Sequence, residues 1–209
     1  MTRRLFVGLL AVAMAWAGAA LADPVDEATA RKALFKPRGA DLVMVRDNGL
    51  DAGQSAIMET IAKGLRSGNL ANYYGSVAVS PDFFALMQQD PGQAVLTGLM
   101  QVTERLHSPA TADAVALAAC NAARSAGQSA CVIAARILPR RWEPRDLTMS
   151  VDATRAFRDY RRARAPKAFA ISEGSRAYAV TNGDGAIAQA LADCNAAALV
   201  ADCSIVVSD

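Results

Sequence analysis

The amino-acid sequence predicts an α+β fold in which helices pack on small antiparallel or mixed sheets, with two related strand-helix-strand modules that each carry a disulfide. Two alanine-rich segments, 110–126 and 185–198, have helical character, and each is followed by a short β-branched run typical of a strand. Both contain Cys-Asn-Ala-Ala, at 120–123 and at 194–197, and a strand ending in serine precedes each. This self-similarity indicates two copies of one supersecondary unit.

Residues 1–22 have the layout of a secretory signal peptide. Arg3 and Arg4 are followed by an apolar stretch and then by small residues. The pattern predicts cleavage between Ala22 and Asp23 and a mature protein that is periplasmic or secreted. The apolar stretch is shorter than the roughly 20 residues that a membrane-spanning helix needs. The general secretory and twin-arginine export routes both stay open.

The charge balance argues against a nucleic-acid-binding protein. Residues 1–22 hold two of the 22 basic residues and none of the 20 acidic ones, so the predicted mature chain is formally neutral. A nucleic-acid binder is expected to present a strongly basic domain or face. No later apolar run is long enough to span a bilayer, and no phosphate-binding loop is present. The sequence therefore predicts a soluble exported protein that uses no cofactor.

Residues 23–80 are predicted to form an N-terminal β-α-β segment. A short helix over 26–35 comes first, and a lysine-proline pair ends it because the residue before proline is disfavoured in helical geometry. Strands at 41–45 and 73–79 flank a second helix, which begins near Asp51.

Residues 81–138 are predicted to combine a helical insertion with the first cysteine module. Apolar residues recur near helical spacing over 81–105, with an interruption at 90–92. This segment is predicted to cover one face of a sheet, and residues 81–110 are predicted to replace the return strand of a hairpin. A groove for a small apolar ligand is the alternative interpretation of its apolar face.

Residues 139–166 are predicted to form an arginine-rich linker with a helix from 151 to 164. Residues 139–167 contain nine basic and four acidic residues. Four arginines of this helix define a candidate surface for an anionic partner, and a solvated helical face is the alternative. They are Arg158, Arg161, Arg162 and Arg164.

Residues 167–209 are predicted to form the second, more compact cysteine module. A strand at 168–172 is followed by a tight turn and a return strand at 176–180. A turn at 182–183 then leads into the second alanine-rich helix and a last strand.

The four cysteines are predicted to form one disulfide in each module. Structural zinc sites use closely spaced ligand pairs and often histidine, and thioredoxin-type sites need C-x-x-C; neither pattern is present. An even cysteine count in an exported chain favours disulfides. The short loops favour Cys120 with Cys131 and Cys194 with Cys203, each contributing roughly 2.7 kcal/mol. The other two pairings stay open.

Few residues are candidates for catalysis. Any Ser-His or Cys-His pair must use His107, the single histidine, which is predicted to lie at a helix end before a turn. Residues 182–185 lack the further acidic positions of a calcium loop and are predicted to form a turn and helix start. Carboxylates far apart in the chain can converge. Asp41, Asp47 and Asp51 cluster in sequence but are predicted to be turn and capping groups.

The C-terminal part of the chain resembles a known family. Residues 167–172, the following turn, the alanine-rich helix that ends at Cys194 and the strand after Cys203 are similar to the domain-of-unknown-function 4189 family of bacterial exported proteins. Similar whole-length proteins of alphaproteobacteria are sometimes labelled 5-aminolevulinic acid synthase. That label implies a pyridoxal-phosphate enzyme with a large fold and a Schiff-base lysine, which this short exported chain does not match. No catalytic residue is carried over from it.

The sequence favours an exported protein that acts by binding or envelope support rather than by catalysis, with an envelope protein or an anionic surface as its partner. Two alternatives stay open. A small hydrolase or transferase that uses converged carboxylates predicts a concave site with strongly perturbed titratable groups. A carrier of a small apolar ligand predicts a sizeable apolar cavity.

Overall fold

The computed structural model describes residues 23–68 and 72–209. The predicted signal peptide, including its cleavage position after Ala22, lies outside the described residues. Seven helices and two antiparallel sheets are found in the described residues, so the predicted α+β class is confirmed. No helix among them is long and apolar enough to cross a membrane.

The helices and strands alternate irregularly along the chain. The helices are α1 (Glu27–Ala33), α2 (Ala52–Ser67), α3 (Asp82–Gln89), α4 (Pro91–Leu96), α5 (Pro109–Ala122), α6 (Val151–Arg162) and α7 (Ala186–Ala198). The strands are β1 (Ala40–Met44), β2 (Gly75–Val79), β3 (Met100–Thr103), β4 (Val132–Pro139), β5 (Lys167–Ser172), β6 (Tyr178–Asn182) and β7 (Cys203–Ser208).

Helices cover both faces of the four-stranded sheet, which has the order β1-β4-β2-β3. On one face, Met58 of α2 and Phe83 of α3 pack with Val77 and Ile137 of the sheet. On the other face, α5 packs on β2, β3 and β4. The two faces form separate apolar clusters, because successive residues of a strand point to opposite sides.

The three-stranded sheet, with the order β6-β5-β7, is also enclosed. Phe157 and Tyr160 of α6 pack on Phe169 and Val207 at one face, where Ala30 of α1 joins them. Helix α7 covers the opposite face through small residues, and this allows a close approach of helix and sheet.

The three aspartates near β1 occupy different positions. Asp51 is the N-cap of α2, where its Oδ1 accepts a hydrogen bond from the backbone N–H of Gln54 at 2.8 Å, as the prediction expected. Asp47 lies in the turn after β1 with a φ of 54°. Asp41 lies inside β1, opposite Leu138 of β4, rather than in a turn.

Residues 81–105 are helical as far as Leu96, with the interruption at 90–92 that the sequence predicted, and then form a strand. Two short helices meet at Asp90, which is the C-cap of α3 and the N-cap of α4. The left-handed φ of 74° at Gly98 then ends the helical path. Met100–Thr103 pairs with β2 as an antiparallel strand. The prediction that this segment replaces the hairpin's return strand is therefore wrong: α3 and α4 are inserted between the two strands of that hairpin.

The two modules share one topology. The elements β2, β3, α5 and β4 give the sheet order β4-β2-β3, and β5, β6, α7 and β7 give β7-β5-β6. The pairing register shifts at corresponding positions, after Val77 in β2 and after Phe169 in β5. The buried residues of the two helices also correspond: Ala112, Ala116 and Cys120 in α5, and Ala186, Ala190 and Cys194 in α7.

A disulfide joins the helix of each module to the following strand. Cys120 is bonded to Cys131 and Cys194 to Cys203, with Cα atoms 6.1 and 6.0 Å apart. The preferred local pairing is therefore present in the structure. All four cysteines of the chain are used in these two bonds.

An asparagine supports each disulfide. The Oδ1 atom of Asn121 accepts a hydrogen bond from the backbone N–H of Cys131 at 3.1 Å. The Oδ1 atom of Asn195 accepts the equivalent bond from Cys203 at 2.9 Å. The repeated Cys-Asn pair thus holds the helix end and the strand start together twice.

Candidate functional site

A concave basic surface lies where the loop after α1 meets α6. Lys36, Pro37 and Arg38 of the loop and Arg155 and Arg158 of α6 line a cavity of about 450 Å³, here named the basic pocket. Its lining contains four cationic side chains and no acidic one.

Local structure places these residues together. Helix α1 ends at Ala33, before the lysine-proline pair, and the chain turns there toward β1. Arg155 and Arg158 are three residues apart on α6, so they share its exposed face, while Phe157 and Tyr160 are buried against β5. The loop and the helix thereby present cations to one concavity.

A cation over an aromatic ring fixes the loop beside the basic pocket. The guanidinium of Arg145 lies 3.7 Å from the centroid of the buried Phe35 ring. The Nη1 atom of Arg145 also donates a hydrogen bond to the carbonyl of Ala33 at 2.7 Å. These contacts hold the segment just before Lys36.

The positive charge of the basic pocket is only partly compensated. Arg155 pairs with Asp152 at 3.0 Å. Among the described residues, no carboxylate pairs with Lys36, Arg38 or Arg158. The pocket therefore has a net positive charge that suits an anion.

The four arginines predicted as an anionic-partner surface are not one cluster. Arg158 lines the basic pocket. Arg161 pairs with Glu27 at 3.4 Å and Arg162 with Asp159 at 3.5 Å. Arg164 is exposed beyond the end of α6.

Three of the four cations in the basic pocket were not predicted from the sequence. Lys36 and Arg38 lie far from α6 in the chain, and only the fold brings them to it. Arg155 could have been found, because it precedes Arg158 by one helical turn and shares its face. For the loop, the sequence feature that could have indicated Lys36 and Arg38 is the pair of basic residues on both sides of Pro37.

His107 is a buried structural residue and not the helix end that the sequence predicted. Its Nδ1 atom accepts a hydrogen bond from the backbone N–H of Ser150 at 3.2 Å, and Nε2 lies 2.9 Å from the carbonyl of Ala177. Burial lowers the pKa of His107 to about 4, although the nearby carbonyl groups and Asp202 oppose the shift. Both ring nitrogens are thus occupied by the backbone.

Ser172 is not hydrogen-bonded to His107. The hydroxyl of the buried Ser172 donates to Asp202 at 3.0 Å, and its oxygen accepts from the N–H of Ser175. A nucleophilic serine needs a base that can take its proton, and His107 does not contact this hydroxyl. The arrangement orders the hairpin turn instead.

Two carboxylates do converge, around Lys167. The Nζ atom of this buried lysine lies 2.6 Å from Glu27 and 3.9 Å from Asp209, and it also lies over the ring of Tyr160. The hydroxyl of Tyr160 donates to Asp209 at 2.6 Å. The hydrogen bond from Lys167 lowers the pKa of Glu27, and burial raises that of Tyr160. This network joins α1, α6, β5 and the residue after β7.

The loop at 182–185 forms a turn before α7. Gly183 and Gly185 have φ values of 95° and 76°, which glycine adopts without strain. Within residues 23–68 and 72–209, no three or more His, Cys, Asp or Glu side chains are arranged to hold a metal ion.

An apolar cavity of about 600 Å³ lies between the two modules. Leu106 and Val115 line it from the first module, and Ala177, Tyr178 and Ala197 line it from the second. No residue of 81–105 lines this cavity, so it is not the groove predicted for an apolar ligand.

The chain was compared with protein-family models, curated proteins and solved structures. None of the three comparisons finds a match.

Proposed function

We propose that the protein is an exported, non-enzymatic binding protein of the cell envelope that holds an anionic ligand in the basic pocket. One observation carries this proposal: four cationic side chains from two distant parts of the chain line a single concavity without an acidic residue. Like charges at short range repel, so a bound anion relieves the repulsion. Guanidinium and ammonium groups are the side chains that pair best with carboxylate and phosphate.

Export is supported by the cysteines and by the N-terminal pattern. Both disulfides suit an oxidising compartment, and residues 1–22 have the layout of a signal peptide. Membership of residues 167–209 in the domain-of-unknown-function 4189 family stays a prediction and is part of this proposal.

A binding role is favoured over catalysis by the state of the titratable groups. His107 directs both ring nitrogens to the backbone. Glu27 and Asp209 share the positive charge of Lys167, which stabilises both carboxylates as structural ion-pair partners. None of these groups lines the basic pocket.

The basic pocket is tested by titrating the protein with pyrophosphate, a compact multivalent anion, in a calorimeter. The double variant Lys36→Gln/Arg38→Gln should bind about tenfold more weakly, because two exposed charge contacts are lost. Arg162→Gln is the matched control, since its side chain is 78% exposed and does not line the pocket. Equal binding by the double variant and the parent protein, or an equal loss in the control, contradicts the proposal.

The apolar cavity supports a second candidate function, a carrier of a small apolar ligand. Leucine, valine and alanine make up five of the nine residues of its lining, and its volume of about 600 Å³ suits a small molecule. Native mass spectrometry of protein purified from its own periplasm tests this candidate. A retained apolar molecule supports the carrier, and a spectrum of the bare chain contradicts it.

A further inference from the structure

A second concavity, here named the tryptophan pocket, lies on the open part of the four-stranded sheet. Its lining combines the apolar residues Val43, Leu138 and Pro139 with the cations Arg46 and Arg141 and the aromatic ring of Trp142. Its volume is about 510 Å³.

This part of the sheet is exposed because the helix above it does not reach β1. Helix α5 packs on β2, β3 and β4. Val43 points away from the core side of β1, where Leu42 is buried, and it is 47% exposed. Trp142 is 37% exposed. A flat aromatic ring beside aliphatic side chains therefore faces solvent in a concave setting.

The tryptophan pocket is also positively charged. Arg136 is neutralised by Asp113: its Nε donates to Oδ1 at 3.2 Å and its Nη2 donates to Oδ2 at 2.7 Å. Arg46 and Arg141 form no ion pair within the described part of the chain. Asp41 is the single acidic residue of the lining, so the pocket carries excess positive charge.

The linings of the basic pocket and the tryptophan pocket approach each other along the chain between residues 38 and 41. Arg38 lines the basic pocket and Asp41 the tryptophan pocket, so their Cα atoms are at most about 10 Å apart. Between them, the side chain of Arg140 lies against Gly39: a Cβ at residue 39 would stand 2.8 Å from its Nε atom. A further guanidinium thus lies beside the short segment that links the two linings.

The shape and chemistry of the two pockets argue against three other classes of ligand: a bilayer surface, a polynucleotide and an added peptide strand. A bilayer surface is planar and does not fit around an aromatic ring in a concavity. A polynucleotide groove offers a series of aromatic rings to successive bases, whereas these linings hold one. An added peptide strand would need the outer edge of β1, where Arg66 already donates to the carbonyl of Leu42 at 2.7 Å.

We propose that the basic pocket and the tryptophan pocket form one binding site for an acidic oligosaccharide. The apolar face of a sugar ring lies on Trp142, and acidic groups of the same chain pair with Arg141, Arg140 and the cations of the basic pocket. This inference rests on the proposed anion-binding function and extends it to a ligand with both charge and an apolar face.

Fluorescence of Trp142 tests the site directly. Of the two tryptophans, Trp16 lies in the predicted signal peptide, so in protein that lacks residues 1–22 the tryptophan emission comes from Trp142 alone. Oligogalacturonate is expected to change this emission on binding, and a neutral galacto-oligosaccharide of the same length is expected not to. An unchanged emission at saturating oligogalacturonate overturns the proposal, as does an equal response to the neutral sugar.

Affinity measurements of variants complete the test. Trp142→Ala should weaken oligogalacturonate binding about tenfold, and Trp142→Phe should keep most of it, because the stacking surface is retained. Pyrophosphate binding should be the same in both variants and in the parent protein. Equal oligogalacturonate binding by Trp142→Ala contradicts the inference, and so does tighter binding of oligothymidylate or of phosphatidylglycerol vesicles. The anion-binding function is tested separately: it fails if pyrophosphate binding is unchanged in Lys36→Gln/Arg38→Gln or is weakened equally in Arg162→Gln.

Discussion

Lowering the pH from 7 to 5 should destabilise the folded protein by about 2 kcal/mol through His107 alone, and by about 3 kcal/mol at pH 4. The pKa of His107 is lowered to about 4 in the folded protein and is near 6.5 in the unfolded chain. The unfolded state therefore binds a proton first as the pH falls. Stability is complete above pH 6.5 and is lost progressively toward pH 4.

The structure explains why the folded protein resists protonation. The Nδ1 atom of His107 accepts the N–H of Ser150, so a proton at this position would replace an acceptor by a donor. The residue is 2% exposed, and the nearby Asp202 offsets only part of the cost of burying the charge. Asp26 and Glu27 also have a lowered pKa, but their contribution is lost mainly below about pH 4.5.

Urea unfolding at pH 7, 6 and 5, followed by circular dichroism with the disulfides intact, measures this dependence. His107→Gln keeps a donor for the carbonyl of Ala177 and cannot titrate in this range. It should be less stable at pH 7 but should show a flat dependence down to pH 5. Because His107 is the single histidine, its NMR titration reports the folded pKa without overlap. A pKa near 6.5, or an equal pH slope in His107→Gln, would refute the reasoning.

Three further predictions concern the modules. Replacing Cys120 and Cys131 together by alanine should lower the free energy of unfolding by roughly 2.7 kcal/mol through loop entropy; an unchanged denaturation midpoint would contradict this. Asn121→Ala should cost about 1 kcal/mol in urea unfolding, since the N–H of Cys131 loses its acceptor. Gly75→Ala should cost about 3 kcal/mol because a Cβ there would stand 2.2 Å from the carbonyl oxygen of Thr103; a melting temperature equal to that of the parent protein would show that the strands can separate without cost.

The modules were predictable because their determinants are local. The repeated Cys-Asn-Ala-Ala fixes the helix ends, and short loops favour the pairing of Cys120 with Cys131 and of Cys194 with Cys203. Strand β3 was missed for a local reason as well. It is four residues long, and the apolar residues around it recur at a spacing that also suits a helix.

The candidate site was less predictable because it depends on contacts between distant segments. Arg158 was identified from the charge of α6, but its neighbours Lys36 and Arg38 come from the loop after α1. The burial of His107 follows from the packing of α6 and the β5-β6 hairpin around it, which no sequence window contains. Sequence reasoning locates charged faces, and tertiary packing decides which of them meet.

The asparagine beside each helix-end cysteine also bears on how the protein becomes oxidised. By accepting the N–H of the partner cysteine, Asn121 and Asn195 bring each pair of thiols together through contacts that do not require the sulfur–sulfur bond. Four cysteines allow three pairings, and this arrangement favours one of them while the chain is still reduced. A thiol oxidant acting on the folded, reduced chain would then form these two local bonds in preference to the other pairings.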